Sequence, residues 1–423
     1  MKHILISAFK FQLAMPVLFL ISSFLSTVSA QVIDEAAAII NSPLVFINPY
    51  IENGSRFNWK IAEDSILYIQ QIYDYERSAK NRTAEHWHFL LEAEAGSDIT
   101  IVFQSFGEIY NGHLEVMPSY MSCVISEDGE KWRHIPTEWI KTPQGPNLKM
   151  QIHMESDSLY VARVDPYRIS DLRKLLTRIE GHDRVQITPI GKSVEGRELH
   201  IIRVGNENAP HRIFLRGRVH PWEPGGNWVI EGLIETLLQD TEEVSTYLKN
   251  YCLYILPMAN IDGVANGVTR FNMNGQDLNR NLTKPADPVL APENLAMEIW
   301  LENMISKGMK PDLAIDFHND SNGPLIFAPP KEHPEIYIGH MKTLETLLRD
   351  MTWFSEHTIF SDSETSTMFA RGLMDRYGIE SLVYELHSNW IEGLNKRPLS
   401  DDWLLLGKQL CEVFNEYFKK IDN

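Results

Sequence analysis

An α/β domain preceded by a small antiparallel β domain is the fold class this sequence predicts, on three observations. Short runs of β-branched and aromatic residues, separated by turn clusters, occupy the first part of the chain. After Asp165-Pro166 apolar runs alternate with longer segments of helical period, the mark of an α/β domain. The polar residues able to carry chemistry then fall at or just beyond the ends of those apolar runs, where open α/β sheets bind ligands.

Residues 1–30 come first: Lys2 and Lys10, an apolar run from Met15 to Leu25, then Val28-Ser29-Ala30, which fits a secretory signal cleaved before Gln31. The run is too short to span a bilayer, and no later stretch is long and apolar enough. A secreted or periplasmic protein without stable membrane insertion is expected. The net charge of −18, with no basic cluster to offset it, argues against a nucleic-acid or anionic-membrane partner. Three cysteines, Cys123, Cys252 and Cys411, rule out a disulfide scaffold, and Cys252 inside the run Tyr251–Leu256 reads as a buried small hydrophobe. Asn53, Asn81 and Asn281 begin glycosylation-type triplets, short patterns that occur by chance.

The second segment, residues 31–165, shows its β texture over 40–165, with strand-like runs at Ile99–Phe103, Cys123–Ile125 and Leu159–Val164. Glu127-Asp128-Gly129-Glu130 and Pro143-Gln144-Gly145-Pro146 are its clearest turns. In the third segment, residues 166–423, Ser170 is expected to cap a helix through Glu180. Strands are expected at Ile213–Leu215, Cys252–Leu256, Leu313–Phe317 and Ser381–Tyr384. Trp228, Ile230, Leu233, Ile234, Leu237 and Leu238 recur at helical spacing after Gly225-Gly226, and Glu293–Met304 and Lys342–Met351 are further helices.

His220-Pro221-Trp222-Glu223 presents an imidazole and a carboxylate three residues apart, near enough for one tight loop to offer both to a cation. Zn²⁺ suits such N/O ligands, and a catalytic zinc takes three protein ligands; His318, closing the run Asp312–Phe317, is the candidate third. Alone, a His-x-x-Glu is more often a hydrogen-bonded pair. His86-Trp87-His88 also offers two imidazoles on one strand face, but it lacks a strand-end position and reads as structural. His182, His333, His340 and His357 read as surface histidines.

The motifs Gly191-Lys-Ser-Val-Glu-Gly-Arg197, Arg218-Val-His-Pro-Trp-Glu223, Asn260-Ile-Asp-Gly263, Gln276-Asp-Leu-Asn-Arg280 and Ile379-Glu-Ser-Leu-Val-Tyr-Glu385 occur in this order. The chain over roughly 170–420 thereby resembles the zinc carboxypeptidases of the carboxypeptidase A type. The β segment, with Tyr160-Val-Ala-Arg-Val-Asp-Pro-Tyr167, and the Gly263-Val-Ala-Asn-Gly267 run resemble the cytosolic-carboxypeptidase branch. Trp222 stands where that branch carries glycine, and Phe360–Thr367 holds no tyrosine where relatives place one on a mobile loop.

The resemblance implies a mixed, mostly parallel sheet flanked by helices, preceded by a small β-sandwich, with one Zn²⁺ per chain and the carboxy terminus of a peptide or protein as substrate. It implies His220, Glu223 and His318 as zinc ligands, Glu385 as general base and Asp277 as the carboxylate orienting the first histidine. It further implies Asn279 and Arg280 as the clamp on the substrate's terminal carboxylate, and Arg270 as the cation facing the scissile carbonyl. Each role suits its residue: a guanidinium makes two parallel bonds to a carboxylate, and a carboxylate ending the apolar run Leu382–Tyr384 is costly without a task. Arg371 or Arg376 would face the terminal side chain and favour Glu or Asp, unless both lie on the solvated face of a helix with Phe369, Leu373 and Tyr377. A zinc amidase, deacylase or peptidoglycan stem-peptide hydrolase on the same scaffold is the nearest alternative, and a noncatalytic binding module the other.

Overall fold

The computed structural model describes residues 42–62, 66–75, 81–104, 106–110, 112–116, 121–142, 145–332, 334–361 and 368–422. The leader expected over 1–30, His333 and most of the Phe360–Thr367 loop lie outside the described residues.

Among the described residues, two five-stranded sheets and a two-stranded one, Gly107–Tyr110 with His113–Val116, make up the N-terminal region. Ile99, Ile101 and Phe103 on one strand and Leu148, Met150 and Ile152 on its neighbour alternate inward, as a period of two requires. They meet Phe89, Leu91, Leu159 and Val161 of the other sheet in a single core, the arrangement of a sandwich. The pairing is antiparallel except where Leu67–Gln71 runs parallel to Asp98–Gln104.

The larger region carries an eight-stranded mixed sheet. Its centre is four parallel strands, Tyr251–Leu256, His211–Gly217, Leu313–Asp320 and Glu380–His387, in that spatial order. These contain the four strands read from the sequence. Antiparallel partners Glu198–Val204 and Leu325–Phe327 flank them. Every residue of Tyr251–Leu256 is buried, because helices cover both faces. Ile213, Leu215, Leu253, Ile255, Ile315 and Phe317 face a core shared with helices Gly225–Leu237, Pro334–Met351 and Ser400–Ile421. The intervening Phe214, Cys252, Tyr254 and Ala314 face the opposite core with helix Pro292–Ser306.

Helices Gly225–Leu237 and Ser400–Ile421 cross at glycines. A Cβ on Gly232 would lie 2.2 Å from the Leu404 carbonyl oxygen, and one on Gly407 2.0 Å from that of Val229. This crossing anchors the helix that begins directly after Glu223. The 22-residue helix Ser400–Ile421 was not read from the sequence, although Trp403, Leu406, Leu410, Val413, Phe414 and Tyr417 carry its period.

Ser170 does not cap its helix. Arg168, in extended backbone, is the N-cap of Ile169–Ile179; its N–H and guanidinium donate to Asp171, and the Ser170 N–H goes to Glu52 at 2.7 Å. All three cysteines are buried thiols. Asn53 and Asn81 are buried, and the Asn53 amide donates to the Val264 carbonyl across the seam between the regions at 3.1 Å.

Candidate metal centre

The loop after strand His211–Gly217 starts with a backbone outlier: Arg218 has φ +58°, a conformation L side chains disfavour. The buried guanidinium of Arg218 donates to the Pro221 carbonyl at 2.8 Å and to the Asn227 side chain at 3.1 Å, tying the loop to the following helix. Burial lowers this guanidinium to about 9. Within the loop the Glu223 N–H reaches the His220 carbonyl at 3.1 Å, so that both side chains emerge on one side.

His318 comes from the next strand but one, Leu313–Asp320, and sits in register opposite Glu385 on the adjacent parallel strand. The Nδ1 atoms of His220 and His318 lie 3.1 Å apart, and Glu223 places one carboxylate oxygen 2.7 Å from each. All three residues are buried. Among the described residues no other group of three such side chains converges in this way.

The outer ring nitrogens decide what this cluster is for. His220 Nε2 lies 3.2 Å from Asp277, and His318 Nε2 lies 2.8 Å from Asp316. Assigning an N–H to each outer nitrogen leaves two inner lone pairs aimed at one another and at a carboxylate. Such an arrangement repels itself unless ring protons or a metal cation sit among the three. Two imidazole nitrogens and a carboxylate oxygen fit zinc, and carboxylates behind the histidines are the usual support for its ligands. Burial would keep Glu223 neutral, but His220 and His318 hold its carboxyl at about 2. Burial likewise opposes charge on His318, while Asp316 and Glu223 raise it well above the ordinary imidazole value.

Asp316 was not singled out in the sequence. It accepts both Arg216 bonds, at 2.8 and 2.6 Å, with each side chain fully buried, and thereby faces His318 as a fixed anion. Its spacing of two from His318 on one strand is the signal that would have found it.

Glu385, Arg270, Asn279 and Arg280 line the same cavity of about 370 Å³ as His220 and Glu223. Burial raises the Glu385 carboxyl well above the usual range, and Asp320 and Glu223 add to that. Arg270 Nε donates to Asp277 at 2.8 Å, so one carboxylate serves both Arg270 and His220. Burial opposes the Asp277 charge, yet Arg270 and His220 hold it well below the usual range. The Asn279 oxygen accepts the Phe369 N–H at 2.9 Å, which fixes its amide nitrogen 3.2 Å from His318. Arg280 donates to the Asn279 carbonyl at 2.8 Å.

One expectation needs correction. Neither Arg371 nor Arg376 lines the cavity. Arg371 donates to the Pro329 and Ser361 carbonyls, and Arg376 bridges the Leu282 and Lys284 carbonyls to Glu298 at 2.5 Å. Both guanidiniums stitch their helix to neighbouring loops. His357 is exposed, as a surface histidine should be, and it also stands on the cavity wall. The N-terminal region contributes Thr83, Glu85, Met121 and Arg163 to that wall, which no local pattern announced. The His86–His88 pair stays apart from the centre: His88 is buried and lowered to about 3, by burial above all.

Fold and site together define an α/β protein with one buried His-Glu-His cation centre at the carboxyl ends of parallel strands. Residues 173–312 match the family model of zinc carboxypeptidases. A stretch of 211 residues is 28% identical to an uncharacterized protein of Zymomonas mobilis, covering 50% of this chain and 52% of that one. Another of 115 residues is 34% identical to cytosolic carboxypeptidase 1 of Danio rerio, covering 27% of this chain and 10% of that protein. The chain thus spans about half of the first relative and a tenth of the second. Among solved structures, a metallo-carboxypeptidase from Burkholderia cenocepacia shares the fold, with TM-score 0.75 and 20% identity over 89% of this chain and 99% of that one. A metallo-carboxypeptidase from Pseudomonas aeruginosa does so with TM-score 0.71 and 21% identity, over 89% and 100%. Because both cover most of the chain, the shared fold takes in the N-terminal region.

Proposed function

We propose that this protein is a zinc-dependent carboxypeptidase that removes the last residue of peptide or protein substrates outside the cytoplasm. The observation that carries this reading is that Glu385, Arg270, Asn279 and Arg280 share one cavity with the His220–Glu223–His318 centre. His220, Glu223 and His318 would hold the zinc. When bound, zinc supplies a Lewis acid that brings the pKa of water down to about 7.

The remaining work falls to the chain's own groups. Glu385 takes a proton from water and returns it to the leaving amine, and its upward-shifted carboxyl is suited to both transfers. Arg270, held in direction by Asp277, stands ready for the charge that develops on the scissile carbonyl oxygen. Arg280 and the Asn279 amide bind the terminal carboxylate. Asp277 and Asp316 keep the histidine rings oriented, so that metal and substrate meet a preformed site. The wall supplied by Thr83, Glu85 and Arg163 suits contact with the substrate chain ahead of the scissile bond. Arg371 and Arg376 lend no support to an acidic terminal preference. Export rests on the leader expected over 1–30 and is tested by the N-terminus of the protein recovered from its native host.

The reading is tested with zinc-loaded protein and one peptide made with a free carboxylate and with a terminal amide. Mass spectrometry should show loss of one terminal residue from the acid and little reaction of the amide, since Arg280 has no anionic partner there. Equal cleavage of both would favour an endopeptidase or amidase instead.

A further inference from the structure

Asp74 lies in the N-terminal region, 195 residues before the loop it touches. Its carboxylate accepts three consecutive backbone N–H groups of the larger region: Thr269 at 2.8 Å, Arg270 at 2.5 Å and Phe271 at 3.1 Å. Three donors on one anion make a charge-assisted clamp, each bond stronger than a neutral one. The contact is not isolated. Asn53 donates to the Val264 carbonyl at 3.1 Å, Arg56 reaches Asn266 at 3.3 Å, and Gly267 packs so closely on Gly54 that a Cβ would lie 1.7 Å from its carbonyl oxygen.

The clamped stretch runs straight into the metal cavity. The Thr269 carbonyl accepts the Trp222 N–H at 3.2 Å, next to the ligand Glu223. The Arg270 side chain reaches Asp277, and Asp277 reaches His220. Arg280 is placed differently: its backbone N–H bonds the Asp277 carbonyl at 3.1 Å, with no contact to Asp74.

We infer that Asp74 is a positioning residue for Arg270, fixing the 269–271 backbone so that the guanidinium stands where the cavity needs it. The N-terminal β region is on this account a working part of the site. The kinetic consequence rests on the carboxypeptidase reading; the clamp itself does not. Loosening the loop displaces Arg270, whose role lies in the transition state, while the Arg280 end of the cavity keeps its own support. A displacement of about 1 Å in a catalytic group costs up to roughly 10²-fold.

The test uses the full zinc-loaded chain with Asp74→Asn, Asp74→Ala, Arg270→Ala and the double variant Asp74→Ala/Arg270→Ala. Both Asp74 variants should lower kcat about tenfold or more, keep KM within about twofold, retain one zinc, and show faster hydrogen exchange at the 269–271 amides. In the Arg270→Ala background the Asp74 substitution should have little further effect, as it acts through that side chain. A wild-type kcat in both Asp74 variants, or an equal fall with Arg270 already gone, overturns the inference. If Asp74→Ala does not fold, Asp74→Asn decides. If the wild type itself cleaves no peptide, the carboxypeptidase reading fails first, and unchanged amide exchange at 269–271 overturns the clamp independently.

Discussion

Two pairs of histidines, one in each region, differ in what would suit an imidazole to bind a metal. In the N-terminal sandwich, His86 lies 3.0 Å from the Asn53 carbonyl, and neither ring nitrogen of His88 has a hydrogen-bonding partner among the described residues. Burial lowers the pair to about 4 and about 3, so both rings stay neutral; His88 packs against Trp132 and Tyr160 as aromatic filling. In the α/β region His220 and His318 are just as buried, but Asp277, Asp316 and Glu223 surround them. The difference lies in the carboxylates: two fix the outer nitrogens, and one joins the inner nitrogens as a third candidate ligand.

The largest effect is expected at Glu385. Glu385→Gln should retain zinc and fold, because the amide is nearly isosteric, while peptide turnover falls by at least about 10²-fold. Near wild-type turnover with normal zinc would remove Glu385 from the proton transfers. A smaller effect is expected behind the first histidine. Asp277→Asn should weaken zinc affinity or activity about 10–100-fold, measured by competition with a chelator and by kcat/KM. No change in either would mean that the His220 orientation is set elsewhere.

The smallest effect separates a binding role from a stitching one. Arg371→Ala and Arg376→Ala should leave the ratio of kcat/KM for peptides ending in Glu and in Leu unchanged within about twofold, since both guanidiniums are spent on carbonyls and Glu298. A marked drop in the Glu to Leu ratio for either variant would restore an acidic pocket.

What could be read from the sequence follows from how local each signal is. Strand Leu313–Asp320 and the candidate cluster His220, Glu223 and His318 were legible because apolar runs, a three-residue spacing and a strand end are visible within a few positions. Asp316 carried a signal of the same kind that was passed over, and so did the period of Ser400–Ile421. Asp74, Glu85 and Arg163 carried none, since only the docking of sandwich on sheet brings Glu85 and Arg163 to the cavity wall and Asp74 to the backbone of Arg270. The two arginines misled for the same reason: a helix face shows spacing but not which neighbour it packs on, here the loops at Leu282 and Pro329.

The most direct test of the central claim is the zinc content of three purified proteins, wild type, His318→Ala and His88→Gln, by elemental analysis after dialysis against metal-free buffer. One zinc per chain is predicted in the wild type and in His88→Gln, with stoichiometric zinc lost from His318→Ala. Undiminished zinc in His318→Ala, or its loss from His88→Gln with the fold intact, would contradict the assignment of the metal to the carboxylate-backed pair.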